Sequence, residues 1–178
     1  FIKEVRKEMT TKAGQKCTAI RRIFVPETKM EAVSRSLSAA LQQTTIGNPL
    51  NESVRMGALA GQAQKKEVKE QVARLLAGST LLYGSLDRVD LIDADIHKGA
   101  FLSPILLLNE QPFSNLAAHE IEAFGPVSTI MPYRNMAEAI ELSAMGKGSL
   151  CSSIVTGDPA LARSYVLGAA PWHGRILV

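Results

Sequence analysis

Cys17 is the side chain best suited to covalent chemistry, and it lies in Ala13-Gly14-Gln15-Lys16-Cys17-Thr18-Ala19-Ile20-Arg21-Arg22. A thiolate is a strong nucleophile, and Lys16, Arg21 and Arg22 bring positive charge that would favour it. Gly14 permits a positive φ or close backbone approach just before the thiol. A lone cysteine is more often a small buried hydrophobe, so both roles stay open on these residues alone. The second notable stretch is Glu120-Ile121-Glu122-Ala123-Phe124-Gly125-Pro126-Val127, two carboxylates and an aromatic ahead of a Gly-Pro turn. A carboxylate there suits hydroxyl binding, as acidic residues do on cofactor riboses. A solvated charged loop is the plainer alternative. His97, His119 and His173 form no local pair with a cysteine, and each reads as a surface or capping residue. Neither Cys17 nor Cys151 has a partner at zinc-ligand spacing, so no metal is expected.

These side chains depend on the elements around them. Apolar residues at 1, 2, 5 and 9 predict a helix over Phe1–Met9, followed by a loop over Thr10–Gly14. Ile20–Val25 reads as a strand closed by Pro26. Thr28 is placed to cap a helix with Met30, Val33, Leu37 and Leu41 on its apolar face. Ile46–Gly57 is a loop by composition, and Gln62–Ala77 a helix stopped by Gly78. Thr80–Tyr83 is a short strand, residues 84–100 are irregular, and Ala100–Leu102 and Ile105–Leu108 are extended. Val127–Tyr133 reads as a strand and Met136–Met145 as a helix. Ser152–Thr156 is a strand, Asp158 caps a helix through about Leu167, and Arg175–Val178 is a final strand. Strands alternate with helices, and several strands are continuously apolar. That pattern predicts an α/β fold with a mostly parallel sheet flanked by helices on both faces. Cys17 then falls in a loop at a strand end, where such folds place their sites.

The 178 residues hold 20 Lys+Arg against 17 Asp+Glu, with 46% hydrophobic and 21% charged. This is ordinary globular composition for one domain that buries roughly 70% of its unfolded surface. Basic residues are dispersed, so no nucleic-acid partner is expected. The longest apolar run, Ile105–Leu108, falls far short of the roughly 20 residues that span a bilayer, so no membrane role is expected. There is no GxGxxG after a strand and no GxxxxGK[ST], hence no nucleotide phosphate loop within these residues. The chain opens on Phe1-Ile2-Lys3 without a leader and stops on Arg175-Ile176-Leu177-Val178. It reads as an excerpt of a longer polypeptide in a reducing cytoplasm, with two free thiols.

Several segments, in order, resemble the aldehyde dehydrogenase superfamily. They are Gly14-Gln15-Lys16-Cys17 with Arg22 and Val25, Gly99–Leu107, Glu122-Ala123-Phe124-Gly125-Pro126-Val127, and Glu138-Ala139-Ile140 leading to Gly148-Ser149-Leu150 and Ile154-Val155-Thr156. The phrases Arg6–Thr10, Gly14–Arg22 and Glu122–Val127 are most similar to the branch that serves ring opening in bacterial phenylacetate degradation. A neighbouring branch holds the semialdehyde dehydrogenases of the aerobic benzoyl-CoA route.

The resemblance implies that residues 1–178 are the catalytic domain, with the cofactor-binding domain and oligomerisation strand elsewhere in a homo-oligomeric parent. It implies an aldehyde substrate, a CoA-linked semialdehyde, oxidised to the acid with NADP or NAD. Cys17 matches the nucleophile that forms a thiohemiacetal and then a thioester. Glu122 matches the carboxylate on the nicotinamide ribose, Phe124 the aromatic beside it, and Gln64 a further ribose contact. The family lysine that follows is here Glu67, a departure on the cofactor side. Residues 1–178 alone are expected to be inactive. A cysteine acyltransferase or hydrolase without redox chemistry is the competing class, and a non-catalytic module with an inert Cys17 is a third.

Overall fold

The computed structural model describes residues 1–178. Twelve regular elements run along the chain: α1 (Ile2–Thr10), β1 (Arg22–Pro26), α2 (Met30–Gln42), α3 (Gln62–Leu76), β2 (Thr80–Tyr83), β3 (Ile105–Leu108), α4 (Ala117–Glu120), β4 (Val127–Tyr133), α5 (Met136–Ala144), β5 (Ser149–Ser153), α6 (Pro159–Ala169) and β6 (His173–Leu177). The main sheet has the order β1-β4-β3-β2. β1 and β3 both run parallel to β4, and β2 pairs antiparallel with β3 at the edge. β5 and β6 form a separate parallel ribbon. The expected α/β class and mostly parallel sheet hold.

Side-chain alternation along the central strands divides the core in two. Ile23, Val25, Leu106 and Ile130 face α1 and α2, whose Val5, Met9, Leu37 and Leu41 close over them. Ile105, Leu107, Val127 and Met131 face the other way, against Val68, Val72 and Leu75 of α3 and against Leu59, Phe101 and Leu102. Strands buried on both faces are apolar at most positions rather than alternating, which is why their pattern is nearly continuous; Ser128 and Thr129 in β4 are the buried exceptions. No helix is long and apolar enough to cross a membrane.

Several boundaries move. Thr28 caps nothing: Pro26 (φ −52°) leads straight into a 3-10 turn over Glu27–Lys29, and α2 starts behind it. β1 begins at Arg22 and takes in Pro26, because its register with Thr129–Tyr133 of β4 sets its length. β5 lies at Ser149–Ser153, earlier than Ser152–Thr156, since that stretch runs in register with β6. Pairing overrides the local propensity of Ile154 and Val155. Ala100–Leu102 is buried but pairs with no strand, and the short α4 had no periodic signal to announce it. The expected cap at Asp158 works, accepting from Ala160 N and Leu161 N at the start of α6, and Asn135 caps α5 by accepting from Glu138 N.

Candidate functional site

After α1 the chain makes a tight 3-10 turn, Thr11–Gly14, in which Lys12, Ala13 and Gly14 all have positive φ. The expected plain loop is thus a strained reversal. It delivers Gln15-Lys16-Cys17-Thr18 to the amino end of β1. Ala19 N donates to Lys16 O (3.1 Å), so Cys17 and Thr18 occupy the tip of a turn. Cys17 is exposed, and its backbone N–H donates to no group of the chain. Exposure of the thiol removes the buried-hydrophobe reading.

The segment before β4 reaches the same edge, because β1 and β4 are parallel. Gly14 and Gly125 touch there: a Cβ on Gly14 would sit 2.2 Å from the Gly125 carbonyl oxygen. Gln15 bridges two loops, donating through Nε2 to Phe124 O (3.2 Å) and accepting at Oε1 from Ala60 N (2.7 Å). Arg21 adds a second clamp. Its Nη1 donates to Gly125 O (2.8 Å), its Nη2 donates to Gly14 O (2.7 Å), and Phe124 lies 5.2 Å from the guanidinium. Arg21 Nε stands 3.5 Å from Glu122 Oε1. Glu122 and Phe124 are otherwise exposed, at 63% of the Glu122 side chain and 41% of Phe124. Cys17, Glu122 and Phe124 are therefore carried on loops fastened directly to one another. Gln64 is exposed in the first turn of α3, close to Gly61 and to the Ala60 amide that Gln15 holds.

Two sequence expectations are corrected. The site lies at the amino ends of the parallel strands, whereas Brändén-type sites sit at the carboxyl ends. An open groove of about 700 Å³ does lie at the carboxyl ends, between Met30, Arg35, Leu82, Leu108 and Pro132, and it contains none of these residues. The nearby cations are also committed elsewhere. Lys16 pairs with Glu8 (2.5 Å), Arg21 grips the two loops, and Arg22 reaches behind the strand to Leu142 O (2.8 Å) and His119. Their role is architectural.

His119 is the third correction, being neither a surface nor a capping residue. Arg22 Nη1 lies 3.1 Å from His119 Nδ1, and His119 Nε2 lies 2.9 Å from Pro112 O. Arginine only donates, so Nδ1 accepts and Nε2 carries the proton. Burial holds the imidazole below its ordinary pKa; the Pro112 carbonyl opposes this and Arg22 adds to it. The unfolded chain then binds this proton more readily, so His119 weakens the fold as pH falls through and below about 6.5. Thermal melts between pH 7.5 and 5.5 should fall more steeply for the natural protein than for His119→Gln. Parallel profiles would remove His119 as the cause. Gln15, Arg21 and His119 shape the site in ways the sequence alone did not assign to them. The adjacent arginines in an otherwise apolar strand entry were the available signal.

Residues 1–167 match the aldehyde dehydrogenase family. The chain belongs to that family. It is 38% identical to the 3,4-dehydroadipyl-CoA semialdehyde dehydrogenase of Aromatoleum evansii, over 99% of this chain and 34% of that protein. It is 46% identical over 125 residues to protein MaoC of Klebsiella aerogenes, covering 69% of this chain and 35% of the relative. The chain thus spans about a third of the length of these curated relatives. Its fold superposes on a crystal structure of betaine aldehyde dehydrogenase from Staphylococcus aureus in complex with NAD+, with a TM-score of 0.88 and 21% identity. That match covers 99% of this chain and 34% of that one. As an aldehyde dehydrogenase-type fold, the sheet presents its amino-end loops as one assembled surface.

Proposed function

We propose that Cys17 is the nucleophile of an aldehyde dehydrogenase that oxidises a CoA-linked semialdehyde, with NADP or NAD as hydride acceptor. One observation supports this most directly: an exposed thiol at the tip of a turn, beside an exposed carboxylate and aromatic held by Gln15 and Arg21. The semialdehyde class follows the Aromatoleum evansii relative, and the ring-opening setting follows the phenylacetate-type phrases at Gly14–Arg22 and Glu122–Val127.

The residues fit a dinucleotide's nicotinamide end. Glu122 has carboxylate surface free for ribose hydroxyls, Phe124 offers a ring face beside it, and Gln64 adds an amide from α3. When bound, the nicotinamide supplies the hydride acceptor. Cys17 Sγ adds to the aldehyde carbon, and the unengaged Cys17 N–H donates to the oxygen that becomes negative. That addition gives a thiohemiacetal; once its carbon has given up hydride to the acceptor it is a thioester, which water cleaves, releasing the acid and restoring the thiol. A thiolate suits both halves, since it attacks readily and also leaves readily. Residues 1–178 alone, a third of the relatives' length, are proposed to lack turnover.

Glu122→Gln in the full-length protein tests the cofactor side. It should raise the KM for NADP or NAD about tenfold, the value of one charge-assisted hydrogen bond, and slow hydride transfer. Alkylation of Cys17 by iodoacetamide should keep its natural rate. An unchanged KM and kcat would refute the ribose assignment.

A further inference from the structure

Arg21 is the least expected residue of the site. Its side chain is 17% exposed, and burial pulls its pKa down against the opposing pull of Glu122. Two of its donors satisfy backbone carbonyls on the two loops, Gly14 O and Gly125 O. Its Nε–H is buried with no hydrogen-bond partner, and a Glu122 carboxylate oxygen lies 3.5 Å away. A closure of a few tenths of an ångström would make a normal charge-assisted bond. Without that anchor Glu122 would be an exposed side chain on a loop, free to sample every rotamer. Arg22 cannot substitute. Successive strand residues point to opposite faces, and its guanidinium is taken by Leu142 O, Ser143 O and His119.

We propose that Arg21 is a positioning residue that fixes the Glu122 carboxylate relative to the Cys17 loop, and this rests on the functional reading of Cys17 and Glu122 given above. The fork geometry is essential. One guanidinium spans the Gly14 and Gly125 carbonyls and still aims a third N–H at Glu122. It occupies one carboxylate oxygen and leaves the other for a ribose hydroxyl. A lysine ammonium keeps the charge but cannot hold three acceptors in this plane.

The test is a double-mutant cycle in the full-length protein, with Arg21→Lys, Glu122→Gln and the pair. The readouts are the Kd of NADP or NAD, kcat and the rate of Cys17 alkylation. Arg21→Lys should raise the dinucleotide Kd about tenfold in the natural background and less than about threefold when Glu122 is already glutamine. Cys17 alkylation should change less than about threefold in either case. An equal rise in both backgrounds, or no rise at all, overturns the role of Arg21 while leaving Glu122 in place. A natural Kd in Glu122→Gln alone overturns the functional reading itself, and this inference with it. Should Arg21→Lys fail to fold, Glu122→Asp replaces it. That change withdraws the carboxylate from the guanidinium without disturbing either carbonyl, and a Kd equal to the natural one then overturns the proposal.

Discussion

Cys17→Ser in the full-length protein will abolish aldehyde oxidation, lowering kcat by at least about a thousandfold. A serine hydroxyl at neutral pH is a far weaker nucleophile than a thiol, and no histidine stands ready to take its proton. His119, half-buried, is turned towards Arg22 and the Pro112 carbonyl. The exchange is nearly isosteric and the side chain is exposed, so the turn and its neighbours should not move. Binding of NADP or NAD should therefore stay within about threefold of the natural value, because the contacts proposed for it come from other side chains. The companion measurement is alkylation. Exposed Cys17 should react ahead of Cys151, which is half-buried with its Sγ 3.6 Å from Thr18 O. Loss of activity should track the first thiol modified. Turnover in Cys17→Ser, or inactivation that follows Cys151 instead, would end the assignment.

Gly14→Ala should be strongly destabilising, at about 2–4 kcal/mol of stability. Two effects add. Gly14 has φ +69°, where an L side chain is disfavoured by about 1 kcal/mol. Its new Cβ would also lie 2.2 Å from Gly125 O and 2.8 Å from Pro126 Cα, both backbone atoms. The loops must separate, and both Arg21 clamps loosen with them. Gly125→Ala should cost less, about 1–3 kcal/mol, since its Cβ meets the Val68 methyls at 2.9 and 3.0 Å and has no positive φ to add. Gly157→Ala meets nothing within 4 Å and should be near neutral. Denaturant titration of the three variants gives the order, and a Gly14→Ala variant as stable as Gly157→Ala would show that the contact between the loops is not required.

The sheet was legible because its buried strands are largely apolar and set off by turn residues: Ile105–Leu108 and Val127–Tyr133 were found with their observed bounds. The helix opened by the Asp158 cap was equally readable. Boundaries set by a partner strand were not. Ser149–Ser153 pairs because β6 lies beside it, and no local residue encodes that. Within the site, Cys17, Glu122 and Phe124 could be named from ordered phrases, whereas their relation could not. Gln15 looked like a connector residue, and Arg21 like one more charge near a thiol. Each acquires its role from carbonyls brought up by a segment a hundred or so residues on, as chain crossing a parallel sheet commonly does. The amino-end location follows from chain order, since Cys17 precedes β1 and Glu122 precedes β4.

Gln15 ties the turn before β1 to Phe124 and to Ala60, three segments far apart along the chain. Contacts of that sequence separation close late in folding, after the loops between them have been brought together. The turn bearing Cys17 should accordingly be among the last parts to take its final shape. A chain still emerging or half-collapsed carries Cys17 on an unshaped segment, and the turn takes its final shape only once the Phe124 and Ala60 loops have arrived.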